Sequence, residues 1–307
     1  MNKKPNIHNS IKKNGKSFHW ASRMLGDKEK QNAQKAYEFF RYIDDICDES
    51  GNAEWSLMRL NQIKEELNIN FSQDPTVRLI LELKKQLQIG PTLIKQFIEG
   101  IEWDIHHNQI ANQAQLLRYG YGVASTVGIL MCYVLNVEER SAFRFAIDLG
   151  IAMQLTNIAR DVLEDARMGR IYLPQTWFGV PISPSDILYN EKLRPDVFYA
   201  INRCLTLAEN YYDSANDGMR YLAPRARVSI MIALRVYKKI GQKIQSMNSS
   251  QYWKISRVYT TKWEKIGASV GALFDYLSKR CYSPSSPPLP HQSSLHEEIE
   301  DLVCHAL

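Results

Sequence analysis

Two stretches of this chain set acidic and amide side chains at intervals of three and four inside runs that are otherwise apolar. In the first, Tyr37, Arg41, Asp44 and Asp48 recur at spacings of four, three and four. In the second, Gln154, Asn157, Asp161 and Asp165 recur at three, four and four. Such spacings share one face only in an α-helix. The turns before the second stripe carry Phe143, Ile147 and Ile151, so a core-facing row runs on into a polar one. A polar ladder in that place is costly unless something binds it, and like charges four apart weaken a helix further. The pattern calls for long helices that turn two acidic rows toward a ligand.

The rest of the sequence agrees with an all-α fold. Alternating strand patterns are scarce and a period near 3.6 dominates. The spacing predicts helices over Lys28–Asp48, Glu54–Glu66, Pro75–Leu87, Pro91–Gln109, Ala111–Leu135, Glu138–Glu164, Arg194–Asn216, Ala223–Met247 and Val258–Leu277. Pro75 and Pro91 stand where first helical turns begin, a position that tolerates proline. Gly169, Pro174, Gly179, Pro181 and Pro184 mark a loop-rich stretch between Asp165 and Arg194. Residues 1–281 read as one helical domain and 282–307 as a Pro/Ser-rich tail. In that tail Leu295, Ile299, Leu302, Val303 and Leu307 have the spacing of a short amphipathic helix, but a weakly ordered terminal tag is the expectation.

Composition narrows the class. With 38 basic and 33 acidic residues the net charge is +5, too balanced to point to nucleic acid, though it would not resist an anionic membrane surface. The five cysteines are scattered without metal-like spacing, which suits reduced thiols in a cytoplasmic protein. The basic N-terminus lacks the apolar core of a secretory signal. The longest apolar stretch, Val123 to Leu135, is too short to span a bilayer. The expected place is the cytoplasm, with peripheral contact to the inner face of the membrane.

Each DxxxD pair alone reads most simply as a solvated helix face. Two pairs, each inside a longer polar stripe, favour a divalent cation. Mg²⁺ takes oxygen ligands, keeps several waters and is often held by one or two carboxylates plus substrate phosphates. With Arg41 and Arg160 beside them, two acidic walls suit a diphosphate cage, in which metal and arginine neutralise a departing pyrophosphate. A carbocation left behind needs protection from water and aromatic faces. Tyr119, Gly122, Ala124, Ser125 and Gly128 are aromatic or small, which suits either a channel lining or close helix packing.

At this level of detail the chain resembles the squalene and phytoene synthases, the head-to-head prenyl transferases. The resemblance runs from about Lys16 to Lys265 and rests on seven blocks in the family's order. They are Lys16-Ser17-Phe18; Arg41…Asp44-Asp45…Asp48; Phe97-Ile98-Glu99-Gly100…Asp104; Tyr119 to Gly128; Gln154 to Asp165; Gly169-Arg170-Ile171-Tyr172-Leu173-Pro174; and Arg235-Val236-Tyr237. Gly15 stands where family members often carry serine, and Ser125 where they often carry glycine.

The resemblance implies an all-α isoprenoid-synthase fold with a central cavity, and it implies roles. Asp44, Asp48, Asn157, Asp161 and Asp165 would hold Mg²⁺, with Mn²⁺ as a substitute. Ser17, Tyr37, Arg41, Gln154, Arg160, Tyr237 and Arg257 would contact the substrate. Tyr119 would face the reacting carbons, and Asp44, Asp48, Asp161 and Asp165 would share with it the catalytic role. Two prenyl diphosphates would condense to a cyclopropyl intermediate that ionises and rearranges. The Gly-Arg-Ile-Tyr-Leu-Pro block is most like the phytoene-forming branch, which needs no NADPH. Ser22 and Gln34, where shorter-chain enzymes tend to carry bulky aromatics, leave room for two 20-carbon chains. The alternatives are a squalene or dehydrosqualene synthase using farnesyl diphosphate, a terpene cyclase, and a catalytically dead binding factor of the same fold. Complete carboxylates argue against the last of these.

Overall fold

A computed structural model of the protein describes residues 20, 22–48, 52–106, 109–255, 257–278 and 290–306. After a 3₁₀ turn at Ser22–Met24, four helices follow: α1 (Asp27–Asp48), α2 (Ala53–Ile69), α3 (Pro75–Leu87) and α4 (Pro91–His106). Next, α5 (Gln113–Gly120) runs through a π-helical segment, Tyr121–Ser125, into α6 (Thr126–Val134). The chain continues through α7 (Ala142–Arg167), α8 (Pro184–Tyr189), α9 (Arg194–Asp217), α10 (Pro224–Gln245), α11 (Ser249–Lys254), α12 (Lys262–Leu277) and α13 (Glu300–Ala306). Among the described residues there is no strand, only an isolated parallel bridge between Gln109 and Ile171.

Local chemistry explains the boundaries. Asp74 caps α3 by accepting from the Thr76 and Val77 amides, Pro75 takes the first helical position, and Gln88 closes the helix in the left-handed region at φ 54°. The long helix expected from Glu138 starts at Ala142 instead. Asn136 turns left-handed at φ 53°, and the Ala142 amide bonds back to the Glu139 carbonyl, so 137–141 form a turn. Two short helices appear in stretches expected to be loop. Each starts with a reciprocal cap, Ser183 with Asp186 for α8 and Asn248 with Gln251 for α11.

Helix α7 is the axis of the packing. Its Phe143, Ile147, Ile151, Leu155, Ile158 and Val162 are buried, and α9 lies along it. The Thr156 and Tyr212 hydroxyls meet at 2.8 Å within that contact. The small residues of the π segment serve the same packing. A Cβ added to Gly100 would sit 2.7 Å from the Gly122 backbone, and one on Gly150 would sit 2.6 Å from Ser125 Cα. Ser125 donates to the Ile147 carbonyl at 2.8 Å. Gly122 and Ser125 therefore let helices approach closely rather than line a channel.

The chain's end differs from a weakly ordered tag. Residues 290–306 pack on the body, with Ile299 and Val303 fully buried in the main core. The amphipathic spacing of that segment is spent on internal packing.

Candidate active site

The first acidic stripe sits in the last turns of α1 and is fixed from behind. Ser56 donates to the Ile46 carbonyl at 2.7 Å. The Tyr42 hydroxyl, 2.7 Å from Asp74, shares that carboxylate with Arg59, which also pairs with Glu66. With Tyr42 held there, the face bearing Tyr37, Arg41 and Asp44 is set. Arg41 pairs with Asp45 at 2.5 Å. Asp48 closes α1, and its side chain lies outside the described ones, as does Ser17.

The second stripe occupies the last turns of α7. Asn157 donates to Gln154 at 3.3 Å. Arg160 grips both oxygens of Asp161, at 2.8 and 2.5 Å. Arg257 reaches Asp161 at 3.0 Å and Glu164 at 3.3 Å. Burial is the largest single influence and works against the Arg160 charge, but the hydrogen bonds to Asp161 and the charges of Asp161, Tyr237 and Glu164 together hold the guanidinium pKa above its ordinary value. Tyr237 on α10 links the stripes. Burial raises its pKa, and it feels Arg160, Asp161 and Arg257, while Tyr37 on α1 feels Tyr237 in turn.

Beside this stripe stands an aromatic wall that sequence reading caught only in part. Asp104 on α4 accepts from Tyr119 at 3.0 Å and from Tyr172 at 2.8 Å. The two tyrosine rings stack at 5.0 Å, and Trp103 tilts against Tyr119 at 5.3 Å. Gly169 makes this possible: at φ +79° it turns the chain back after α7, where the Arg170 amide bonds to the Asp165 carbonyl. Ile110 and Ile171 then bond backbone to backbone and set Tyr172 beside Asp104. Asp104 and Tyr172 lay within blocks quoted from the sequence, but nothing local in them signals that they meet.

The donor set fits a divalent cation. Asn157 Oδ1 is buried without a hydrogen-bond partner, an acceptor oxygen of the kind a hard cation takes. Burial pushes the Asp165 carboxyl up to about 8, and the charges of Asp161, Glu164 and Asp104 add to the shift. Both stripes also lie near helix C-termini, where the helix dipole repels anions. The first observation is an unused acceptor oxygen, and the other two are surroundings that disfavour carboxylate charge unless a cation offsets it. By contrast, a cleft of about 570 Å³ lined by residues such as Tyr212, Arg235, Lys238 and Glu264 contains none of the stripe residues.

An all-α body with acidic stripes on two helices, the second beside an aromatic wall, has the isoprenoid-synthase fold. The squalene/phytoene synthase family profile matches residues 11–264, and the chain belongs to that family. A 15-cis-phytoene synthase from Enterobacter agglomerans is 31% identical over 287 residues, covering 89% of this chain and 97% of the relative. A 4,4'-diapophytoene synthase from Staphylococcus haemolyticus is 29% identical over 265 residues, covering 84% of this chain and 92% of the relative. In structure the chain resembles a ligand-bound dehydrosqualene synthase, with a TM-score of 0.73 at 23% identity and coverage of 89% and 95%. The chain is thus a prenyltransferase of a divalent-metal-dependent family.

Proposed function

We propose that this chain joins two geranylgeranyl diphosphates head to head and releases phytoene by way of a cyclopropyl diphosphate. The observation that carries the reading is the turn after α7, in which the Arg170 amide bonds to the Asp165 carbonyl and the Tyr172 hydroxyl donates to Asp104 at 2.8 Å. It sets the last acid of the diphosphate stripe next to the carboxylate that fixes the Tyr119–Tyr172 pair. Relatives named phytoene synthase at about 30% identity over most of the chain support the product.

Asn157, Asp161 and Asp165, with Asp44 and Asp48 opposite, would hold Mg²⁺. When bound, the cation supplies Lewis acidity that lowers the charge cost of diphosphate departure. Arg160 and Arg257, now resting on Asp161, supply planar N–H forks for diphosphate oxygens, and Arg41 does so from α1. Tyr37, Gln154 and Tyr237, with Ser17 added by family resemblance, complete the polar lining. Trp103, Tyr119 and Tyr172 face a prenyl cation with ring surfaces and keep water away. The final proton loss needs no NADPH.

The test is product analysis with purified enzyme and Mg²⁺, offered geranylgeranyl or farnesyl diphosphate, with and without NADPH. Phytoene from the longer substrate without reductant is expected. The 4,4'-diapophytoene synthase relative supports a second reading, in which farnesyl diphosphate is preferred. That reading wins if the shorter substrate turns over faster.

Because substrate tails and product are lipids, we also place peripheral membrane contact on α12. No described helix is long and apolar enough to cross a membrane. On α12, Trp263, Val270, Phe274 and Leu277 are exposed at spacings of seven, four and three, which keeps them on one face next to the exposed Lys262.

A further inference from the structure

The segment 290–306 is fastened at both ends by groups that have no part in the reaction described above. At its start is Asp148 of α7, a carboxylate with no exposed surface. It accepts from Ser214 at 2.6 Å and lies 2.9 Å from His291 Nε2 and 2.8 Å from His296 Nε2. Arg144 approaches His296 Nδ1 at 3.5 Å. Arginine can only donate, so this contact favours Nδ1 as acceptor and places the His296 proton on Nε2, facing Asp148. Two of the three side-chain groups around this buried carboxylate therefore come from the segment. Lifting it off would leave the charge underpaired, a costly state.

At the other end, Arg118 holds Asp301 through two contacts at 2.8 Å and donates to the Glu298 carbonyl at 3.1 Å. The Tyr121 hydroxyl lies 3.1 Å from both the Leu302 carbonyl and Gln96 Oε1, and Gln96 Nε2 donates to that carbonyl at 3.2 Å. Arg144 takes both oxygens of Glu300 at 3.0 and 2.8 Å. Between these grips Ile299 and Val303 are fully buried.

What the segment grips is specific. Arg118 and Tyr121 flank Tyr119, and Tyr121 opens the π-helical segment, a backbone state whose hydrogen bonding is less regular than that of an α-helix. Gln96 lies on α4, two turns before Trp103 and Asp104, and Arg144 and Asp148 lie on α7, which bears the second acidic stripe. One chain segment thus ties the three helices whose mutual placement sets the Tyr119–Asp104 contact.

We propose that residues 290–306 are a positioning strap for the reaction, holding the α5 π-helical junction so that Tyr119 stays on Asp104. The strap rests on the reading of Tyr119 as the residue at the reacting carbons. It acts through Tyr119 and touches no substrate. The Asp148–His291–His296 set has the residue types of a metal site. Its outer partners do not: metal-bound histidines usually donate their second ring N–H to an acceptor, whereas His296 meets an arginine and His291 Nδ1 has no partner.

The test uses the full-length chain carrying Ile299→Asp, which places a charge at the strap's buried centre, with Ile299→Val as the conservative rescue. Hydrogen exchange of the 118–126 amides should speed up about tenfold as the junction loosens. The kcat should fall by about ten- to a hundredfold, the scale of a reacting group displaced by about an ångström. The KM should stay within about twofold, because the diphosphate-binding residues are untouched. Ile299→Val should restore both exchange and kcat. If Ile299→Asp does not fold, the double variant Tyr121→Phe with Asp301→Asn removes only polar grips and carries the same readouts. Unchanged exchange at 118–126, or unchanged kcat, in a folded variant whose strap amides exchange freely overturns the proposal. Tyr119→Phe in the intact chain separates the two ideas. Full turnover there sinks the reading of Tyr119, while the exchange measurement still reports on the strap.

Discussion

Arg257 donates to Oδ2 of Asp161 across 3.0 Å, although ninety-six positions separate them in the chain. With Arg160 on the same carboxylate, Asp161 gathers two guanidinium groups that a diphosphate would also attract. Asp161→Asn keeps the shape and removes the charge. It should cut turnover roughly a hundredfold or more, the scale of losing one electrostatic partner of a transition state. Asp44→Asn should do the same from the opposite stripe. Both variants should keep the wild-type far-UV circular dichroism. Near-normal Mg²⁺-dependent turnover in both would overturn the two-walled site.

Burial, with the charges of Asp161 and Glu164 beside it, pushes the Asp165 carboxyl up to about 8 in the folded chain, from an ordinary 3.8. Between those values the unfolded chain has lost the proton and the folded chain has kept it, so stability is full below the lower value and is lost as pH rises through the upper one. In chelator, Asp165→Asn should therefore melt close to wild type at pH 5 and clearly above it at pH 8. Added Mg²⁺ should narrow the gap at pH 8 by raising the wild type alone. A gap that is equal at both pH values, or unmoved by Mg²⁺, would remove Asp165 from the metal set.

Gly100 and Gly122 pass so closely that a single methyl group meets backbone. Overpacking of this kind costs about 1–3 kcal/mol, because neither helix can yield without moving the Tyr119 junction. Gly100→Ala should lower the urea midpoint accordingly. Gly179→Ala, where an added Cβ meets nothing within 4 Å, should leave it almost unchanged. Equal effects at the two positions would deny the close crossing.

These two glycines also mark where sequence reading stopped. Helix α3 was legible to the residue, because Asp74, Pro75 and the periodic Val77, Ile80 and Leu83 state their own start and inward face. The acidic stripes were legible for the same reason: a spacing of three or four is local information. Small residues such as Gly122 and Ser125 were ambiguous, since a channel lining and a helix crossing ask for the same side chains. Asp104 meeting Tyr172 across 68 positions, or Asp148 meeting His296 across 148, follows from packing and leaves no local trace. The terminal segment was misjudged on that account. A serine- and proline-rich approach suggested a loose tag, while the groups that fasten it lie on α4, α5, α7 and α9.

Membrane contact through α12 has a direct assay. Liposomes with anionic headgroups should carry the wild-type chain upward in a flotation gradient at low salt and release part of it at high salt. Trp263→Asp with Phe274→Asp should abolish flotation and leave turnover of detergent-dispersed substrate intact. Ile299 and Val303 are buried in the core, so these two apolar residues of the strap are not offered to the bilayer. Undiminished flotation of the α12 variant would place the contact elsewhere.

Chain length is the last question, and two positions bear on it. Gln34 precedes Tyr37 by three residues on the face of α1 that goes on to Arg41 and Asp44, which sets it one turn farther from the acids; its amide donates to Glu38 at 3.1 Å. Ser22 is buried in the 3₁₀ turn that packs against α10, the helix bearing Tyr237. If these residues mark the far end of the prenyl site, their modest size is what admits a 20-carbon chain. Ser22→Phe should then obstruct that end, at a cost on the order of 1–3 kcal/mol that falls on the longer substrate, because a 15-carbon chain stops short of it. With geranylgeranyl and farnesyl diphosphates supplied together, wild type should make mainly the 40-carbon product, and the variant should shift the ratio about tenfold or more toward the 30-carbon one. A ratio that does not move takes Ser22 away from the floor of the site. A wild type that already favours the 30-carbon product, or that releases nothing without NADPH, makes the phytoene assignment wrong.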